Sequence, residues 1–190
     1  MPQAKTLTQA EQEKLLAYIA SKPNALRNRV MFLLTMWAGF RVGEVAGLRI
    51  SDVRNADGSI RAEIYLSADR VKHGHAGVVY LNERLQQELA AYIASRKWHD
   101  EHQALFTTQA NPRKGFSANT LTQHFHYLYK RAGIVGGSSH SGRRTFITTL
   151  ANKGVSVRLL ASLVRHANIA TTQRYIDVND DMKRKAVELI

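Results

Sequence analysis

A mainly α-helical domain with one small antiparallel β-sheet is the fold class this sequence predicts, and three observations predict it. Apolar residues recur every three to four positions over most of the chain, the pattern of helices that bury one face. Only residues 60–66 alternate apolar and polar positions with the two-residue period of a half-buried strand, and a second β-prone run follows at 78–81. The chain has 190 residues, 44% of them hydrophobic, which suffices for one core. No internal repeat, low-complexity tract or linker divides it.

Thr8-Gln9-Ala10-Glu11 has the form of a capping box, and Leu15, Leu16 and Ile19 carry a first helix to the break at Pro23. From Ala25, the apolar positions Leu26, Val30, Leu33, Leu34 and Trp37 build a second helix, hydrophobic enough to be central and ended by Gly39. A short third helix is expected over 42–48. Asp57-Gly58 signals a turn, after which Ile60, Ala62, Ile64 and Leu66 alternate with Arg61, Glu63 and Tyr65; Lys72-His73-Gly74-His75 lies in the connection to the second strand. Asn82 caps a helix bearing Leu85, Leu89 and Ile93, residues 97–103 form a polar loop, and Ala104-Leu105-Phe106 is extended. Ser117 caps a helix with Leu121, Phe125 and Leu128. Beyond the glycines at 133, 136 and 137, helices over 141–152 and 156–164 are separated by Gly154, and the remainder is helical in short pieces. Residues 180–190 end the chain as an amphipathic segment whose Met182, Ala186, Leu189 and Ile190 need a cover. Trp37, Phe125 and Phe146 are assigned to the core rather than to base stacking.

Charge narrows the function. The 27 Lys and Arg against 15 Asp and Glu give a net charge of +12, and a polyanionic partner follows from an excess of this size. The imbalance is uneven: residues 1–110 carry a net +3 and residues 111–190 a net +9, with the basic residues interleaved among apolar ones, so the positive surface is structured. Zero cysteines exclude a disulfide framework, a thiol nucleophile and a thiolate zinc site. No apolar run reaches the roughly 20 residues of a membrane span, and the start of the chain has no signal-peptide core, so the cytoplasm is the expected location.

Two arginines hold special positions. Arg41 lies in Gly39-Phe40-Arg41-Val42-Gly43-Glu44, between a glycine-ended helix and the next helix start, where Glu44 can hold its guanidinium at i,i+3 spacing; a plain helix-start ion pair is the competing reading. In His140-Ser141-Gly142-Arg143 an imidazole and a guanidinium stand three residues apart at a helix start, where both can reach one anion. His166 and, nine residues on, Tyr175 complete a set suited to phosphodiester chemistry. Such chemistry needs forked donors for the non-bridging oxygens, a nucleophile, and an acid for the leaving oxygen.

Together these residues make a resemblance specific. Gly39-Phe40-Arg41-Val42-Gly43-Glu44-Val45, then His140-Ser141-Gly142-Arg143-Arg144-Thr145-Phe146, then Val164-Arg165-His166 and Tyr175, in this order and with 26 residues from His140 to His166, resemble the catalytic domain of the tyrosine recombinases, the phage integrase family. Val71-Lys72-His73-Gly74 through Val78-Val79-Tyr80-Leu81 is similar to the family's lysine-bearing hairpin. The resemblance implies the fold of that catalytic domain and a reaction in which Tyr175 attacks a DNA phosphorus to form a 3′-phosphotyrosyl bond, so that no ATP, metal or other cofactor is used. It further implies that Arg41 and Arg143 clamp the non-bridging oxygens, that His140 and His166 hydrogen-bond the phosphate with His140 assisting proton removal, and that Lys72 protonates the departing 5′-oxygen. Phenols ionise in water only near pH 10, so a dense cationic site is what favours the phenolate. Double-stranded DNA is the implied partner, bound by a homo-tetramer in which the 180–190 segment packs on a neighbour. A nucleoid-associated location goes with it, and an accessory protein is left open. Residues 1–190 are expected to form a single catalytic domain with no separate N-terminal core-binding domain, as a short member or a fragment. Two departures stand out: Arg165 replaces the glycine common before the second histidine, and Gly77 and Tyr80 stand where an arginine and a proline are common in the hairpin.

Two other readings compete. Residues 150–160, with Gly154 at the turn and Ser156 as cap, have the form of a helix-turn-helix, which suits a DNA-binding regulator without catalysis. The close pairs His73/His75, His99/His102 and His124/His126 suggest a metallo-hydrolase, but their mixed spacings, with no helical HExxH, favour scattered surface histidines. Arg113-Lys114, in a loop, can touch phosphate or stay solvated.

Overall fold

The computed structural model describes residues 4–67, 76–98, 100–111, 113–175, 180–188 and 190, the side chains of 180–182 and 185 excepted. In chain order these form α1 (Gln9–Ala20), α2 (Ala25–Trp37), α3 (Val42–Gly47), α4 (Ile50–Val53), β1 (Glu63–Leu66), β2 (Gly77–Tyr80), α5 (Glu83–Ala94), α6 (Ala118–Arg131), α7 (Ser141–Asn152), α8 (Val157–Leu163), α9 (Ile169–Gln173) and α10 (Asp180–Val187). The expected mainly helical class with a small antiparallel sheet is what folds.

α2 is the axis of the core. Val30, Met31, Phe32, Leu33, Leu34 and Thr35 are all fully buried, so the helix is apolar around its whole circumference and must be surrounded. α7, α5, α1 and α3 pack on it. α7 comes especially close: a Cβ placed on Gly142 would meet Thr35 Oγ1 at 2.1 Å, so only glycine allows this approach. Thr145, one turn further along α7, accepts a hydrogen bond from the Leu7 backbone at 2.9 Å and ties down the start of the chain. The expected caps are in place. Thr8 forms a reciprocal box with Glu11, and the side chains of Asn82, Ser117 and Ser156 accept from the backbone of Leu85, Thr120 and Leu159.

The hairpin pairs Glu63 with Tyr80, Ile64 with Val79, Tyr65 with Val78 and Leu66 with Gly77. Ile64, Leu66 and Val79 face the core, while Tyr65 and Tyr80 are exposed. The first strand is shorter than the alternation predicts. Ile60 bridges back to Arg54 and the Arg61 N–H donates to the Val53 carbonyl, so this stretch is claimed by the end of α4 before it can join β2. α4 itself is a single turn that periodicity does not reveal. It is held by Asp52, which accepts from the Arg49 backbone at 2.7 Å, and by donation from Ile50 and Ser51 to the carbonyls of Gln103 and Glu101. Phe125 is buried as expected, whereas Trp37 is only partly so and carries the Arg84 guanidinium 4.7 Å above its ring. No helix among the described residues is long and apolar enough to cross a membrane.

Candidate active site

Three chain turns meet at one end of α2: the α2–α3 turn, the start of α7, and the turn after α8. Arg41 occupies the N-cap of α3, preceded by the fully buried Phe40 that anchors the turn. Its backbone N–H donates to Glu44 Oε2 at 2.7 Å and its Nη1 to Glu44 Oε1 at 2.8 Å, so one carboxylate caps the helix and orients the guanidinium. The ion pair expected of a plain helix start is therefore present, but it is not the whole arrangement. Glu44 is 5% exposed and its Oε2 also accepts from Arg165 Nη2 at 2.7 Å, while Arg41 Nη2 reaches the Arg165 carbonyl at 3.3 Å.

Arg143, in the first turn of α7, is 4% exposed. Its guanidinium donates to the carbonyls of Gly39 and Val164, linking the α2–α3 turn to the end of α8. Burial, and then the neighbouring Arg41, pushes it down to about 9, still protonated at neutral pH. Arg165 is lowered for the same first reason, against the pull of Glu44. Tyr175 also lies within electrostatic reach of Arg143.

His166 follows Arg165 directly. Its Nδ1 lies 2.8 Å from Oγ1 of Thr172, a fully buried residue of α9. Burial and the charges of Arg143, Arg41 and Arg165 hold the imidazole at about 4, so it is neutral near pH 7. The Tyr175 ring stacks on His166, centroids 6.0 Å apart and planes 25° from parallel, with the Arg144 guanidinium 5.1 Å from its centroid. His140 stands exposed at the N-cap of α7, one turn before Arg143. Lys72 lies outside the described residues. Of the six residues singled out from the sequence, four fall in one cluster, His166 and Tyr175 in ring contact and Arg41 and Arg143 joined to them through Glu44, Arg165 and backbone carbonyls, with His140 one turn before Arg143.

Sequence reasoning did not find Thr172 or the carbonyls that hold Arg143, and it named Arg165 only as a departure. No periodicity or motif marks these partners, because each depends on turns distant in sequence. The competing readings fare differently. α7, the Gly154 turn and α8 do form the local shape of a helix-turn-helix, but α7 is buried against α2 and α8 runs directly into the Arg165–His166 turn of the cluster. His73, His75 and His99 lie outside the described residues; His124 is held by Asn28, its Nε2 3.1 Å from Oδ1, while His102 and His126 are exposed. Among the described residues no three His, Asp or Glu side chains converge as metal ligands.

The geometry amounts to a built anion site. Two guanidinium groups, Arg41 and Arg165, share the buried Glu44 carboxylate and a third, Arg143, stands beside them on neutral carbonyls, so the cluster keeps excess positive charge that an entering phosphate would relieve. The model of the phage integrase family matches residues 5–182. The tyrosine recombinase XerA of Thermococcus kodakarensis is 34% identical over 191 residues, covering 97% of this chain; the chain spans 62% of that relative's length. Among solved structures, a XerA recombinase superposes with a TM-score of 0.75 at 26% identity over 100% of this chain and 66% of its own. The Tn1549 transposon integrase in complex with a circular intermediate DNA shares the fold, with a TM-score of 0.80 at 22% identity over 100% of this chain and 67% of its own. A match that spans all three converging turns makes the assignment: this chain belongs to the phage integrase family.

Proposed function

We propose that the chain is the catalytic domain of a site-specific DNA recombinase that cleaves and rejoins double-stranded DNA through Tyr175. The observation that carries this reading is the half-buried cluster of Arg41, Arg143 and Arg165 around Glu44, set beside the stacked His166–Tyr175 pair. Arg41 and Arg143 bind the non-bridging oxygens of the scissile phosphate. Each is already oriented, by Glu44 or by carbonyls, so little reorganisation accompanies the rise in negative charge as phosphorus becomes five-coordinate. The Tyr175 oxygen bonds to phosphorus as the bond to the 5′-oxygen breaks, the phenol proton passes toward His140, and Lys72 delivers a proton to the leaving oxygen. His166, neutral and with Nδ1 accepting from the Thr172 hydroxyl, presents Nε2–H to the phosphate. Religation is the reverse, with the bond energy kept in the phosphotyrosyl ester.

The net charge of +9 on residues 111–190 supports duplex DNA as the partner. A homo-tetramer on two duplexes belongs to the same proposal. α10, on which Val187 is 71% exposed, followed by the exposed Ile190, is the segment proposed to pack on a neighbouring protomer. Covalent capture tests the reaction. The protein is incubated with nicked duplexes from its genetic neighbourhood and run on a denaturing gel beside Tyr175→Phe. A denaturation-resistant adduct lost in the variant is the expected result. DNA bound on a native gel with no adduct at any nick position would leave a binding-only regulator as the better account.

A further inference from the structure

Arg165 has φ +54°, one of two non-glycine residues at positive φ among the described residues, in the left-handed region where a Cβ is disfavoured and glycine is not. Glycine would relieve this strain, so the side chain must return something through its contacts. Its guanidinium is 5% exposed and donates from Nη2 to Glu44 Oε2. Its carbonyl accepts from Arg41 Nη2. The charged end sits 5.9 Å from the ring centroid of Phe40, the anchor of the Arg41 turn. Its aliphatic stem fills the space above Gly77: a Cβ at 77 would meet Arg165 Cδ at 2.6 Å and Cγ at 3.0 Å. One side chain thereby touches β2 of the hairpin, the carboxylate that orients Arg41, and the anchor of the Arg41 turn, and its own residue precedes His166.

We infer that Arg165 is a positioning residue for the phosphate clamp, and that Gly77 is the vacancy it requires. This inference rests on the recombinase reading given above. The physical reason lies in the charge of Glu44. Alone against Arg41, a buried carboxylate would absorb most of that guanidinium's charge and draw it inward. Sharing the carboxylate with Arg165 leaves Arg41, whose side chain is 31% exposed, with charge to spend on phosphate. The stem, wedged over Gly77, keeps β2 at a fixed distance from that pair, which explains why the larger residue at 165 and the smallest at 77 occur together.

The experiment is a series at 165 crossed with Gly77→Ala. Single-turnover adduct formation on a nicked duplex is measured at saturating DNA, with affinity read separately on native gels. Arg165→Lys keeps the charge and should stay within about threefold of wild type, whereas Arg165→Met keeps only the length and should lose about tenfold or more, as should Arg165→Gly, while DNA affinity changes by less than about threefold. A purely structural strut would be served by Met as well as by Arg, so a wild-type rate for Arg165→Met overturns the inference. Gly77→Ala should lower both the rate and the melting temperature of the otherwise wild-type protein and leave both unchanged when added to Arg165→Gly. Additive effects of the two substitutions would overturn the pairing. If the wild type itself yields no adduct, the recombinase reading fails and takes this inference with it; if the wild type cleaves and all 165 variants match it, the inference alone fails.

Discussion

Two arginines of this protein are buried to the same degree, and only one of them makes a site. Arg27, 6% exposed near the start of α2, donates to the Thr107 carbonyl at 2.7 Å and to Asn28 Oδ1 at 3.3 and 3.2 Å, and its guanidinium lies 5.2 Å from the Phe116 ring centroid. Arg143, 4% exposed, donates to the carbonyls of Gly39 and Val164. Burial is the first cause of a lowered value at both, and neutral acceptors satisfy both. The difference is the company each keeps. Around Arg143 stand Arg41, Arg165, Glu44 and Tyr175, whereas around Arg27 the ionisable neighbours are Tyr92 and then Arg96. A guanidinium held by carbonyls is therefore a structural device in both places, and in the proposed function it serves as a phosphate receptor only where further cations and Tyr175 converge on it.

The comparison breaks most cleanly under paired substitution. Arg143→Met should slow adduct formation by about a thousandfold, the order of losing a preorganised donor to a charged transition state. Its cost in stability should be small, because the orphaned carbonyls are offset by relief of repulsion from Arg41 and Arg165. Arg27→Met should do the opposite. Leaving the Thr107 carbonyl without its donor should cost about 2 kcal/mol in urea unfolding, with cleavage per folded molecule within about twofold of wild type. Equal losses of rate in both variants would erase the distinction.

Acid sharpens the same contrast through two histidines. His124, beside Arg27, and His166, beside Arg143, are both lowered to about 4, by burial first and then by neighbouring arginines. An unfolded histidine titrates near 6.5, so between roughly pH 6.5 and 4 the unfolded chain binds the extra protons. Stability should accordingly be full above about pH 6.5, fall as the pH drops through that window, and level off below it. His124 should account for about 2 to 3 kcal/mol of the fall, removable by His124→Gln. His166 should contribute as well, but only without DNA. In Tyr175→Phe bound to duplex, the phosphate's negative charge raises His166 and flattens its share, leaving that of His124 untouched. Urea unfolding from pH 4.5 to 7.5, with and without DNA, reads both; an equal response of the two histidines to DNA would remove the distinction between the regions.

Local signals account for what the sequence made legible. Thr8, Asn82, Ser117 and Ser156 are caps because their partners lie three residues away, and α2 is conspicuous because its apolar residues leave no polar face. Arg41, His140, Arg143, His166 and Tyr175 were visible as motifs with fixed spacing. What stayed hidden depends on contacts between distant segments. α4 takes hydrogen bonds to Gln103 and Glu101, β1 loses its first residues to the end of α4, and Thr172 finds His166 only because α9 folds back. Arg165 is the clearest case: in the sequence it shows only as a departure from a common glycine, and its direction is decided by a positive φ and by the space over Gly77.

The smallest expected effect distinguishes the regions by consequence instead of size. Ser117 caps α6, the helix that carries His124 toward Arg27, and its Oγ accepts from Thr120 N at 3.0 Å; Ser156 caps α8 with a longer bond of 3.4 Å to Leu159 N. Replacing Ser117 by Ala should cost about 1 kcal/mol, and Ser156→Ala no more than that, since its bond is the poorer one. Rate should separate them. α6 packs on α3 but holds none of the three guanidinium groups of the proposed phosphate site by a hydrogen bond, so Ser117→Ala should slow cleavage by less than about twofold per folded molecule. α8 ends at the Val164 carbonyl that holds Arg143 and at the turn bearing Arg165 and His166. Fraying at its start loosens that end of a seven-residue helix, so Ser156→Ala should slow adduct formation by about threefold at saturating DNA, about 0.65 kcal/mol on the barrier. Should the two variants lose stability and rate in the same proportion, the site would draw on the whole fold evenly, and the contrast between the two buried arginines would not extend to the helices that carry them.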